Sequence, residues 1–223
     1  MKNALFIPML LATALLSHAS DKPVAFWEPA KSVEADGKFS LMDTYAGQAL
    51  RGQGNLVDDK DVPGGKALEF DGKEIAPGNS GAGLGRDLTC SPGLSFRIYL
   101  KPDFQGPTEQ TPFKYGDVEL RMYTNNSRLS LLLREKKYSI SGNDFPSASL
   151  PIKPNDWNLV EVEINGADML LRIDGLEMKA SGNPSTMSGA LTGAPRIGGW
   201  GNRPFKGRIG PILLANGKLP AKK

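Results

Sequence analysis

Glu161 and Glu163 stand one residue apart in the stretch Asp156-Trp157-Asn158-Leu159-Val160-Glu161-Val162-Glu163-Ile164. On an extended strand such residues project from the same side, about 7 Å apart. Glycoside hydrolases hold their two carboxyl groups roughly 5–9.5 Å apart, so the spacing permits sugar cleavage. Register argues against it. If Asn165-Gly166-Ala167-Asp168 forms a hairpin loop, Ile164 faces Met169, Val162 faces Leu171 and Val160 faces Ile173, an unbroken apolar side. On the polar side Glu163 then meets Leu170, and Glu161 meets Arg172. A tighter Asn165-Gly166 turn would set Glu163 against Asp168, and like charges directly opposed are unfavourable. A cation across from Glu161 favours the charged form, the reverse of what a general acid needs. The expectation is a solvated face with a Glu161–Arg172 ion pair and no catalytic residue.

Other residues could bind rather than cut. Arg97 and Tyr99 alternate with Phe96, Ile98 and Leu100, and Arg121 and Tyr123 alternate with Val118, Leu120 and Met122. If their strands are neighbours, these four polar residues share one face. Arginine pairs with carboxylates or sulfates and tyrosine rings stack on sugars, so the set suits an anionic glycan. A polysaccharide lyase could use the same residues, arginine to neutralise a uronate and tyrosine to move the proton. An ordinary polar sheet face is the plainer alternative. Trp200, in Gly198-Gly199-Trp200-Gly201-Asn202-Arg203, is a further sugar platform or else edge packing. That glycine-rich loop lacks the lysine and helix context of a phosphate cradle. Asp58, Asp59 and Asp61 could offer oxygens to calcium, but Lys60 interrupts them, and a solvated acidic loop is preferred.

The elements that must position these residues read as short strands. Gly 26 and Pro 17 of 223 residues punctuate β-type runs throughout, with no convincing helical periodicity after the first residues. Strands are expected over 24–27, 49–57, 66–70, 94–101, 117–123, 128–134, 158–164, 169–174 and 208–214. Turn-rich pieces over 76–85 and 181–195 separate them. Period-two alternation with one polar side indicates half-buried strands of antiparallel sheets, in a sandwich or barrel.

The chain begins like an export signal. Met1-Lys2-Asn3 is a basic start, Ala4–Leu16 is apolar, and Ser17-His18-Ala19 supplies a small-residue cleavage site. An apolar run of about 13 residues falls short of the roughly 20 that span a bilayer. No cysteine follows it for lipid attachment. The expectation is a signal peptide over 1–19 and a single domain over 20–223, exported to periplasm, cell surface or medium, with no membrane insertion after cleavage. The only histidine, His18, lies in that signal, so histidine triads and histidine metal sites are excluded from the remainder. Cys90 is alone, which excludes an internal disulfide and thiolate clusters and suggests a small buried residue. The formal net charge of +3 includes Lys2, and the charges are scattered, unlike the basic stripe of a nucleic-acid binder.

Five segments occur in a telling order: "GGKALEFDG" (64–72), "LSFRIYLKP" (94–102), "DWNLVEVEING" (156–166), "LRIDG" (171–175) and "RIGGW…FKGRIGPILLA" (196–215). "LMDTYAGQALRGQG" (41–54) extends the pattern upstream. Together they resemble a laminin G-like domain of the concanavalin A-like lectin/glucanase superfamily. The resemblance implies an all-β, two-sheet antiparallel jelly-roll sandwich with one concave sheet. It also implies binding of glycans or proteins, sometimes with calcium at the rim, and in some branches hydrolase or lyase activity. Gly207-Arg208-Ile209-Gly210 departs from the family pattern by lacking its aspartate, and Arg97 and Tyr99 stand where a small residue and tryptophan are common. The third acid of the laminarinase-type enzymes is replaced by the Asn165-Gly166 turn. The expected function is therefore a non-enzymatic glycan-binding module with Arg97, Tyr99, Arg121, Tyr123 and Trp200 as contacts and no required cofactor. The alternatives are a lyase or hydrolase on the same fold and a protein-interaction module.

Overall fold

A computed structural model of the chain describes residues 23–35, 38–45, 47–73, 80–133, 145–166, 168–181 and 191–220. The expected signal over 1–19 and the turn residues 76–79 and 182–190 lie outside them. The described residues form strands and no helix. In chain order these are β1 (Pro23–Ala35), β2 (Lys38–Asp43), β3 (Ala49–Gln53), β4 (Asn55–Asp58), β5 (Lys66–Asp71), β6 (Ser80–Gly83) and β7 (Leu88–Cys90). Next come β8 (Gly93–Pro102), β9 (Glu109–Tyr115), β10 (Val118–Tyr123), β11 (Arg128–Leu133), β12 (Phe145–Pro151) and β13 (Asn158–Asn165). The last are β14 (Asp168–Ile173), β15 (Leu176–Ser181), β16 (Leu191–Gly193), β17 (Pro195–Trp200), β18 (Arg203–Pro204) and β19 (Lys206–Asn216).

Every pairing among them is antiparallel, and the pairings trace two layers. One runs β15-β14-β13-β8-β19-β5-β4. The other runs β12-β11-β10-β9-β17-β6-β3-β2. Strand β1 joins them, pairing through its first residues with β19 and through its last with β2. Strands β7 and β16 form a small separate ladder.

Alternation decides which side of each layer faces inward. Leu94, Phe96, Ile98 and Leu100 on β8 are fully buried, as are Val118, Leu120 and Met122 on β10. Phe96 meets Phe113 of the other layer at 4.5 Å between ring centroids, and Phe39 of β2 meets Phe70 of β5 edge-on at 6.4 Å. These contacts set the two inner faces against each other, as in a sandwich whose core is shared by both sheets. Cys90 is buried as expected, with the Tyr115 hydroxyl 3.5 Å from its sulfur.

The β13–β14 register is the expected one: Val160 opposite Ile173, Glu161 opposite Arg172, Val162 opposite Leu171 and Ile164 opposite Met169. The hairpin closes one residue pair tighter, because Asn165 and Asp168 also pair. A tighter closure at unchanged register leaves every side chain on its expected face.

Candidate functional site

The four residues expected on one face are not together. Strand β8 lies between β13 and β19, whereas β10 lies between β9 and β11 in the other layer. Their apolar sides face each other through the core, so Arg97 and Tyr99 point away from one face of the sandwich and Arg121 and Tyr123 from the opposite one. Alternation identified the outward sides correctly. Strand order, a long-range property, did not follow from it.

Arg97 has a structural role. Its Nε donates to Glu161 Oε1 at 2.8 Å, and its Nη2 donates to the Pro220 carbonyl at 3.2 Å. Arg97 lies directly opposite Glu161 on the neighbouring strand, with Leu213 on its other side. The expected Glu161–Arg172 ion pair is thereby corrected. Arg172 instead reaches Glu177 at 2.8 Å and Glu163 at 3.5 Å. Hairpin neighbours were legible in the sequence, but the partner on the other flank of β13 was not. Because Arg97 and Glu161 are both largely buried, their charged hydrogen bond should couple by about 1.5–3 kcal/mol. Double-mutant cycles in urea with Glu161→Gln against Arg97→Met and Arg172→Met check this. Coupling concentrated in the Arg172 cycle would restore the hairpin assignment.

On the opposite side a transverse row of residues crosses seven of the eight strands of the second layer. It runs Leu132 (β11), Glu119 (β10), Lys114 (β9), Arg196 (β17), Gly83 (β6), Arg51 (β3) and Ser40 (β2), each directly opposite the next. Trp200, further along β17, stands beside this row. The Arg196 guanidinium lies 4.8 Å from its ring centroid and the Lys114 ammonium 5.6 Å, both within cation–π range. Arg51 is exposed, while Lys114, Arg196 and Trp200 are half-buried. Gly83 places no side chain between Arg51 and Arg196 in this row.

Arg121 belongs to a buried network behind that row. Its Nε and Nη2 donate to the two oxygens of Glu119 at 3.2 and 3.3 Å. Arg203 approaches the same carboxylate at 3.3 Å, and Thr111 donates to it at 2.7 Å. Arg121 also reaches the Tyr123 hydroxyl at 3.5 Å. Burial by itself would push the Glu119 carboxyl up, but hydrogen bonds from Arg121 and Thr111 and the charges of Arg121 and Arg203 hold it below the ordinary carboxylate value. Arg121 is only 7% exposed, so it supports the face and does not present itself to a ligand. Tyr123 and Trp200 remain accessible.

Arg51, Lys114, Arg196 and Arg203 were missed by sequence reasoning. Arg51 does alternate with buried Leu50, but β9 and β17 were not recognised as strands. Their signal was weak because Pro112 interrupts one and Gly198-Gly199 the other.

The acidic loop, expected to be solvated, is instead drawn into ion pairs, and Asp59 is buried. Asp58 pairs with Lys66 at 2.8 Å. Asp59 accepts from Arg208 at 2.9 Å, from the Trp157 indole at 3.2 Å and from the Asp61 amide at 3.2 Å, with Lys101 at 3.5 Å. Burial raises the Asp59 carboxyl, and these donors outweigh it, leaving the group below its ordinary value. A carboxylate so surrounded by cations ties the β4–β5 connection to β19 and β8. Among the described residues no three His, Cys, Asp or Glu side chains converge as a metal site.

No protein-family model matches the chain, and a search of curated proteins finds no match. Solved structures do resemble it. Domain 4 of AbnA, a GH43 extracellular arabinanase from Geobacillus stearothermophilus in complex with arabinotriose, superposes with a TM-score of 0.55 at 19% identity, over 89% of this chain and 94% of that one. Trypanosoma rangeli sialidase in complex with the inhibitor DANA gives 0.59 at 14% identity, over 89% of this chain but only 31% of the sialidase. The binding domain of botulinum neurotoxin DC in complex with SialylT gives 0.55 at 13% identity, over 90% of this chain and 49% of that one. At such identities the likeness is one of fold: an all-β protein of antiparallel sheets, of the β-sandwich type found in these structures.

Proposed function

We propose that this chain is an exported, non-catalytic glycan-binding module on a laminin G-like jelly roll, and that it takes an acidic polysaccharide on the face carrying Trp200. The observation that carries the reading is the row Lys114–Arg196–Gly83–Arg51 beside the indole. It combines fixed cations, a glycine between two of them and one aromatic edge. The resembling domain of AbnA was solved with arabinotriose, which supports carbohydrate as the ligand class. The ion pairing of Glu161 with Arg97 and of Glu163 with Arg172 supports a binding role over a cutting one. With a near-neutral chain, attraction to an anion is local to this face and falls as salt shortens the screening length to about 8–10 Å.

Affinity electrophoresis in gels containing alginate or chondroitin sulfate, against arabinan or xylan, tests the reading. Retardation is expected in the acidic gels, weakening with salt. The combined Arg51→Ala and Arg196→Ala variant should lose roughly tenfold in affinity, about 1.4 kcal/mol. Arg97→Ala should leave retention unchanged. Absence of salt-sensitive retardation in the acidic gels would remove the proposal. Release of unsaturated uronate absorbing in the ultraviolet would replace it by a lyase.

A further inference from the structure

The first layer carries a different arrangement on its own outer face. Where β4, β5, β19 and β8 lie side by side, Asn55, Glu69, Arg208 and Lys101 form a transverse row, each directly opposite the next. One step along, Lys206 stands opposite Asp71 and pairs with Asp103 at 3.0 Å. These residues, with Asn155, line a cleft of about 400 Å³. That lies within the roughly 300–1,000 Å³ of small-ligand sites. Gly207 forms part of the lining, at φ 137°, where a Cβ would overlap the Lys101 carbonyl and the adjoining β8 backbone. The chains therefore approach closely there and leave no side chain in the way.

The charges in the cleft offset each other, three carboxylates against three cations. Arg208 is held between Glu69 at 2.9 Å and Asp59 at 2.9 Å, and Lys101 reaches Asp59 at 3.5 Å. An anion entering would meet Glu69, Asp71 and Asp103. A cation would meet Lys101, Lys206 and Arg208. A hydroxyl group is donor and acceptor at once, so it can bridge a carboxylate and an ammonium without adding charge. Guanidinium and carboxylate groups each keep hydrogen-bonding capacity beyond one ion pair, and the two asparagine amides add both senses. The aliphatic stems of Lys101 and Lys206 offer apolar strips for the C–H face of a pyranose or furanose ring.

We propose that this cleft binds an uncharged oligosaccharide, at a site separate from the Trp200 face. The inference takes its ligand class, a saccharide, from the function proposed above but needs none of the residues on that face. Amide and side-chain NMR shifts of the full chain, titrated with cellotriose, xylotriose, arabinotriose and maltotriose, provide the test. At least one of these should shift the Asn55 and Asn155 side-chain amides and the Gly207 amide, with millimolar affinity. Asn55 is exposed, so Asn55→Trp obstructs the cleft from outside the core and should weaken that binding roughly tenfold or more. Glu69→Gln, which keeps the shape, should weaken it severalfold. The Arg51→Ala and Arg196→Ala pair should leave it intact, and failure of acidic retention in the wild type with these shifts retained would sink only the earlier reading. No shift at these amides with any of the four sugars, or equal shifts in Asn55→Trp, would overturn the inference.

Discussion

Glu119→Ala should cost the fold about 3–5 kcal/mol, the usual penalty for removing one partner of a buried ion pair. Glu119 is wholly buried on an outward side of β10, and it is the carboxylate to which Arg121 and Arg203 both bond. Its loss leaves two guanidinium groups, one of them buried, without that acceptor and deprives Thr111 of its own. Domains of this kind have about 5–15 kcal/mol in total, so the variant should unfold at a much lower urea concentration or fail to accumulate. Glu119→Gln keeps an acceptor for Thr111 and should cost less. Combining Glu119→Leu with Arg121→Met removes two of the charges together and should recover part of the loss. A Glu119→Ala protein within 1 kcal/mol or so of wild type in urea would show that the network does not hold the face.

The same group gives a pH dependence of definite sign. A carboxyl held below its unfolded value binds its proton more weakly in the folded state. Its contribution is complete above the unfolded value, about 4.3 for glutamate, and drains away as pH falls through the folded one. Buried Asp59, also held low by its donors, adds in the same sense from about 3.9. Stability in urea should therefore vary little through these groups from pH 7 to about 5 and decline below about 4. Glu119→Gln should flatten part of that decline.

Gly198→Ala should be strongly destabilising on the Trp200 side. Gly198 has φ 76°, in the left-handed region that costs an L-residue about 1–2 kcal/mol. A Cβ there would also overlap the Phe70 ring. Phe70 cannot withdraw freely, because it packs edge-on against Phe39 at 6.4 Å and Phe205 at 6.3 Å. Overpacking of that kind adds about 1–3 kcal/mol, for a combined loss of about 2–5. Because the irregularity between Ile197 and Trp200 sets the indole on the outer face, the variant should also shift tryptophan fluorescence and weaken retention in acidic gels. Adding Phe70→Leu should return the overlap portion while the backbone portion remains. If the double variant is no more stable than Gly198→Ala, the overlap is not the cause.

The amino-acid sequence by itself determined the all-β class, most of the expected strands, and the inward sides of β8, β10, β13 and β14. The strand expected over 49–57 is instead two, β3 and β4, which part at Gly54 into different layers. Period-two alternation is a local property, so Phe96, Ile98 and Leu100 could be assigned to the core, and Arg97 and Tyr99 outward, from their order alone. The β13–β14 register was equally local, since a one-residue slip would have exposed Val160, Val162 and Ile164 together. Strands lacking alternation, such as β9 with Pro112 and β17 with its paired glycines, gave no such signal. Only the tertiary structure decided which strands became neighbours. That choice placed β8 and β10 in opposite layers, gave Glu161 to Arg97 in place of Arg172, and enclosed Arg121 with Glu119 and Arg203. It also brought Arg51, Lys114 and Arg196, far apart in the chain, into one row beside Trp200. A side chain's facing follows from its own strand, but its partners follow from the packing of strands distant in sequence.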